Sequence, residues 1–119
     1  MRKTFIEYKS KNGIRFHHSV TTFDDDYKSD QKAETHYMFE VLLLFSGSIE
    51  YSIEGQHFKI SPMDIIVVPP NKLHTVKVDP SIPYERMVLH FAPELLPSFS
   101  DIDILAPLTD NITYIIPDE

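Results

Sequence analysis

The sequence has no cysteine, which removes disulfide frameworks, thiolate zinc sites and cysteine nucleophiles together. Any metal would have to sit on His, Asp or Glu. It also lacks a Lys/Arg cluster dense enough to neutralise a run of phosphates. The formal charge is -7, from 18 acidic against 11 basic residues, so this chain by itself is not expected to grip DNA or RNA. No apolar run of signal-peptide or membrane-span length follows Arg2 and Lys3. The expectation is a soluble, cytoplasmic protein with no membrane partner. Helical periodicity is scarce, and there is no internal repeat or low-complexity block.

What the sequence does have is strand signal. Its 119 residues make one domain's worth of chain, enough to bury a core unaided. Short segments rich in Ile, Val, Phe and Tyr recur between Gly, Pro, Ser and Asn, which predicts a mainly β class. The first recognisable strand falls around Arg15 to Val20. The polar stretch after it, with Asp24, Asp25, Asp26 and Asp30, reads as a solvated loop; an EF-hand fails because Lys28 interrupts it and no turn glycine follows. "FEVLLLF" is a nearly continuous apolar run, as in a strand buried on both faces. "SIEYSIE" alternates, with Ile49, Tyr51 and Ile53 on one face and Glu50, Ser52 and Glu54 on the other. "HFKI", "IIVVP", "LHTVKV" and "YERMVLHF" continue the series at the spacing of a sandwich or barrel built from hairpins. In the tail, Pro93 and Glu94 suit one helical turn, Pro97 and Pro107 forbid a long helix, and "NITYIIP" offers a last strand.

Six histidines invite a metal or acid-base reading. His17, His18 and His57 read as surface or structural residues. In "YERMVLHF", Tyr84, Arg86, Val88 and His90 share one face, and Glu85, Met87, Leu89 and Phe91 the other. The second face is the more apolar and is expected to pack a core; the first gathers Arg86 and His90 as a polar pair able to line a cavity. Arg86 suits a carboxylate or several hydroxyls, against a competing surface ion pair. His36 and Glu40 would stand roughly 13 Å apart along a fully extended strand. A bend there would let them meet His74, with Glu34 pointing the same way as His36. Imidazoles and carboxylates so gathered would make either a metal site or a hydrogen-bonding patch for a polar ligand.

The order Glu34-x-His36-x-x-x-Glu40, six residues, then Gly47 resembles the first motif of the cupin superfamily, and "DIIVVPPNKLH" resembles the second. From "FEVLLLFSGSIEYSIEGQHFKISPMDIIVVPPNKLHTV" to "PYERMVLHFAPELL" the chain is similar to the N-terminal sensing domains of AraC-type bacterial transcription regulators. That resemblance implies a cupin-like double-stranded β-helix, a jelly-roll barrel, with residues 1–14 as an arm, 15–91 as the barrel and 92–119 as a short helix and closing strand. It implies a small-molecule effector of the sugar or organic acid class, bound by Glu34, His36, Glu40, His74, Arg86 and His90. A homodimer is expected, with DNA read by a C-terminal domain that this chain does not contain, and with no catalytic residue. A divalent metal on His36, Glu40 and His74 is the cofactor the cupin motif allows, although sensing domains of this kind commonly work with none. The competing implication is a small metal-dependent cupin enzyme, an oxygenase or isomerase. Three positions depart from the cupin pattern: Glu34 replaces a His, Asn71 a turn glycine and Val78 an Asn. Asn tolerates the left-handed conformation that the glycine would adopt.

Overall fold

A computed structural model describes residues 1–24 and 37–95, together with the backbone of 114–116. Among the described residues nine strands follow in chain order: β1 (Arg2–Lys9), β2 (Ile14–Thr21), β3 (Phe39–Ser46), β4 (Ile49–Ile53), β5 (Gln56–Ile60), β6 (Ile65–Val68), β7 (His74–Val78), β8 (Tyr84–Phe91) and β9 (Tyr114–Ile116). They form a six-stranded sheet in the order β1-β2-β8-β3-β6-β9 and a three-stranded sheet in the order β5-β4-β7. All the pairings are antiparallel. The helical expectation in the tail meets one short turn at Pro93–Leu95 within the described residues. No helix among them is long and apolar enough to cross a membrane.

Turn chemistry sets the strand ends. Ile53 pairs with Gln56, which leaves Glu54 and Gly55 as a two-residue hairpin loop, and both have positive φ, 46° and 83°. That is the mirror-image turn whose twist matches its flanking strands. After β6 the two prolines remove ladder donors, and Asn71 turns the chain at φ 62°. Gly47 stands at φ 119°, and an added Cβ would lie 3.4 Å from the Pro83 carbonyl oxygen and from the Tyr84 Cα. Those are ordinary contact distances, so it is the positive φ that calls for glycine here.

The core lies between the sheets. Leu42, Leu44, Ile66, Val68 and Val88 from the large sheet meet Ile49, Tyr51, Ile53 and Ile60 from the small one. In β4 the alternation expected from the sequence appears as buried Ile49, Tyr51 and Ile53 with Glu50 exposed. Two expectations change. Residues Arg2–Lys9, within the segment 1–14 read as an arm, form an edge strand paired with β2, and β3 is buried deeply along the face of Glu40, Leu42 and Leu44 but on the other only at Phe39. In β8 the inward face is the one carrying Arg86 and Val88, 9% and 6% exposed. Met87 and Leu89, expected to pack the core, are half-buried on the opposite face. The reason is coverage: the second sheet lies against the Val88 side, and hydrophobic content alone does not say which side that is.

Candidate functional site

Residues directly opposite one another in antiparallel strands share a face, so the registers define rows across the inner side of the large sheet. One row runs Arg15 on β2, His90 on β8, Glu40 on β3 and Val68 on β6. The next runs His17, Val88, Leu42 and Ile66. Beyond it come Ser19, Arg86 and Leu44, then Thr21 and Tyr84. The inner face is therefore apolar over β3 and β6 apart from Glu40, and polar over β2 and β8 apart from Val88.

Glu40 is the junction of the first row with the small sheet. It is 8% exposed. Its Oε1 lies 2.9 Å from His90 Nε2, and its Oε2 accepts a hydrogen bond from the Tyr51 hydroxyl at 3.1 Å. His74 enters from β7, where it pairs with Ile53, and brings its Nε2 to 3.8 Å from Glu40 Oε2. Its Nδ1 lies 2.9 Å from the Lys72 carbonyl oxygen. A carbonyl only accepts, so Nδ1 carries a proton and Nε2 is the atom directed at the cluster. Burial pushes the Glu40 carboxyl up. The hydrogen bond from His90, the neighbouring His74 and His90 and the Tyr51 hydroxyl outweigh it and hold the group below its ordinary value. Burial and the Glu40 charge push Tyr51 well above the usual phenol range, so it stays a donor.

Arg86 occupies the second polar centre. Nη1 donates to Thr21 Oγ1 at 2.7 Å and to the Tyr84 carbonyl at 3.1 Å, and the guanidinium carbon sits 4.2 Å from the Tyr84 ring centroid. Among the described residues no carboxylate pairs with it, and the residue is buried, 9% exposed. Burial lowers its pKa from the ordinary value. Burial also pushes the Tyr84 phenol up to about 12. His17, read as surface or structural, lies on the same inner face with its Nδ1 3.1 Å from Ser19 Oγ. Desolvation, with Arg2, Arg86 and His90 nearby, lowers it to about 4 against a weaker pull from Glu7, so it is neutral at pH 7.

Of the six residues expected to bind ligand, Glu40, His74 and His90 come together and Arg86 faces the same interior. Glu34 and His36 lie outside the described residues. Sequence reasoning missed Tyr51, Tyr84, His17, Ser19 and Thr21 as parts of the polar interior. The period-2 alternation of β2 was the signal that could have found three of them. Among the described residues no three His, Asp or Glu side chains stand close enough to hold a metal ion. Among the described residues Glu40 has the Tyr51 hydroxyl and the His90 ring as hydrogen-bond partners. A groove of 480 Å³, lined by Ser48, Glu50, Lys59, Lys77 and Asp79 among others, lies elsewhere, at the solvent side of the small sheet.

Solved structures share this architecture. The Cnp3 cupin domain of Schizosaccharomyces pombe aligns with a TM-score of 0.65 at 11% identity, covering 86% of this chain and 74% of that one. The cupin_2 domain of an XRE family transcriptional regulator from Enterobacter cloacae aligns with a TM-score of 0.59 at 16% identity, over 78% of this chain and 96% of that one. A provisionally assigned mannose-6-phosphate isomerase from Ralstonia eutropha gives 0.60 at 16% identity, over 77% and 85%. At such identities the likeness is one of fold. A comparison with curated proteins gave no match. A family model of the AraC-like ligand binding domain matches residues 17–111, from β2 through β8 and beyond. With that span matched and the cupin fold in place, the chain belongs to the AraC-like ligand binding domain family.

Proposed function

We propose that this domain is the effector sensor of an AraC-type transcription regulator, and that the effector, a sugar or organic acid, binds inside the barrel. The observation that carries this reading is the polar half of the inner face, where Arg86, His90 and Glu40 point between the sheets. Buried polar groups on a rigid scaffold orient a ligand, and the apolar strip of Leu42 and Val88 beside them excludes water. The barrel works here without a resident metal and without catalytic residues. Binding would shift the balance between two states of the domain only by as much as the effector prefers one of them. A symmetric dimer suits that output, with DNA read by another domain of the regulator in the cytoplasm. The test is a thermal-shift screen of purified protein against sugars and organic acids. A saturable rise in Tm that is lost in His90→Ala, with that variant still folded, supports sensing. A screen in which nothing stabilises the protein favours a pure dimerisation element.

The competing reading, a metal-dependent cupin oxygenase or isomerase, has one observation in its favour: the His74 tautomer, with Nδ1 anchored on a backbone carbonyl, is the one a metal-ligating imidazole adopts. Elemental analysis decides between them. Stoichiometric Fe, Mn, Ni or Zn that disappears in His74→Ala would turn the assignment toward catalysis.

A further inference from the structure

Arg86 is a buried cation whose bonding is half complete. A guanidinium carries five N–H donors in a fixed plane. Both protons of Nη1 are spent, one on Thr21 Oγ1 and one on the Tyr84 carbonyl. Nε and Nη2 donate to nothing among the described residues, yet no buried side-chain nitrogen there lacks a partner. These two atoms therefore reach solvent-accessible space, although only 9% of the residue is exposed. Together they form the edge of the guanidinium that matches the two oxygens of a carboxylate. Among the described residues no carboxylate pairs with this charge, and the cation that acts on it is the exposed Arg2. The neighbours across the strands are Ser19 and Leu44, Thr21 and Tyr84 support Nη1, and Arg2 stands at the exposed rim.

We propose that the effector carries a carboxylate and that Arg86 receives it in a two-point contact through Nε and Nη2. The proposal rests on the sensing reading and narrows it from sugars or organic acids to acids. One buried guanidinium balances a monoanion. A phosphate dianion would call for a second buried cation, and Arg2 is exposed. Because the protein carries a net charge of -7, its overall field does not gather anions, so recognition has to come from this local contact.

The experiment follows the Arg86 Nε–H signal in a 1H–15N spectrum of the wild-type domain, assigned by its absence in Arg86→Lys. The protein is titrated at constant ionic strength with sodium acetate, acetamide and sodium phosphate in turn. The expected result is a saturable downfield shift with acetate and none with acetamide. Arg86→Lys, which keeps the charge and loses the fork, should weaken stabilisation by acetate about tenfold. Absence of a saturable response to acetate would overturn the proposal, and so would saturation by phosphate at lower concentration than by acetate. A neutral sugar that stabilises wild type and Arg86→Gln alike would also overturn it while leaving effector sensing in place. The same signal can be assigned through bonds in the wild-type domain, so the wild-type titration needs no variant to fold.

Discussion

Glu40 holds its carboxylate out of water because His90 and Tyr51 each give it a partner and His74 stands close by. Removing one of those partners leaves the charge short. Tyr51→Phe should cost about 1–2 kcal/mol, read from chemical denaturation, since it deletes the hydroxyl and keeps the ring in the core. Two groups on this inner face give acid sensitivity in separate windows. For Glu40 the folded pKa lies below the ordinary 4.5, so its contribution is complete above that value and is lost as pH falls through the folded pKa. His17 titrates at about 4 when folded against 6.5 ordinarily. Between those values the unfolded chain binds the proton and the folded one does not, so stability falls as pH drops from 6.5 to about 4. Solvent screening at this half-exposed ring limits the loss to about 1 kcal/mol. Tm measured against pH should show His17→Gln flattening the upper window and Glu40→Gln the lower. Glu40, His74, Arg86 and His90 were legible in the sequence because motif spacing and strand parity put them on shared faces. Tyr51 was not, since it alternates with Ile49 and Ile53 and reads as plain core.

Turns decide which strands meet. Met63 follows Pro62 in a turn closed by the Asp64 amide donating to the Ser61 carbonyl at 3.0 Å, and its φ is 72°. A side chain there is strained, and this one is 46% exposed, so it gains little from packing. Met63→Gly should stabilise by about 0.5 kcal/mol, the left-handed strain removed exceeding the entropy that glycine adds to the unfolded chain. Gly47→Ala should do the reverse by about 1 kcal/mol or more, because its φ of 119° is one that a residue with a Cβ rarely adopts. Denaturant midpoints of the two variants test the pair. Strand content was readable wherever alternation or a Gly/Pro boundary marked it, as in β4 and at Pro69-Pro70-Asn71. β1 escaped because its charged residues at both ends and full exposure leave no inward pattern; its pairing with β2 comes from the ladder and not from burial.

For the molecule as a whole, the unequal sheets matter most. Three strands face six, so the small sheet covers the apolar strip of the large one, and the polar half of the inner face lies toward the β1 edge. Parity in a sequence assigns residues to the two sides of a strand, but which side another sheet will cover is a tertiary fact. For this reason the inward face of β8 became clear only with the fold. Two places compete as the home of a small molecule: the polar interior proposed above and the outer groove near Lys59 and Lys77. The most direct measurement is a chemical-shift map of the isotope-labelled domain with whichever sugar or organic acid stabilises it. Sensing inside the barrel is expected to concentrate the changes on Ser19, Leu42, Arg86, Val88 and His90. Changes gathered instead along Ser48, Glu50, Lys59 and Lys77, with that inner set unmoved, would contradict it.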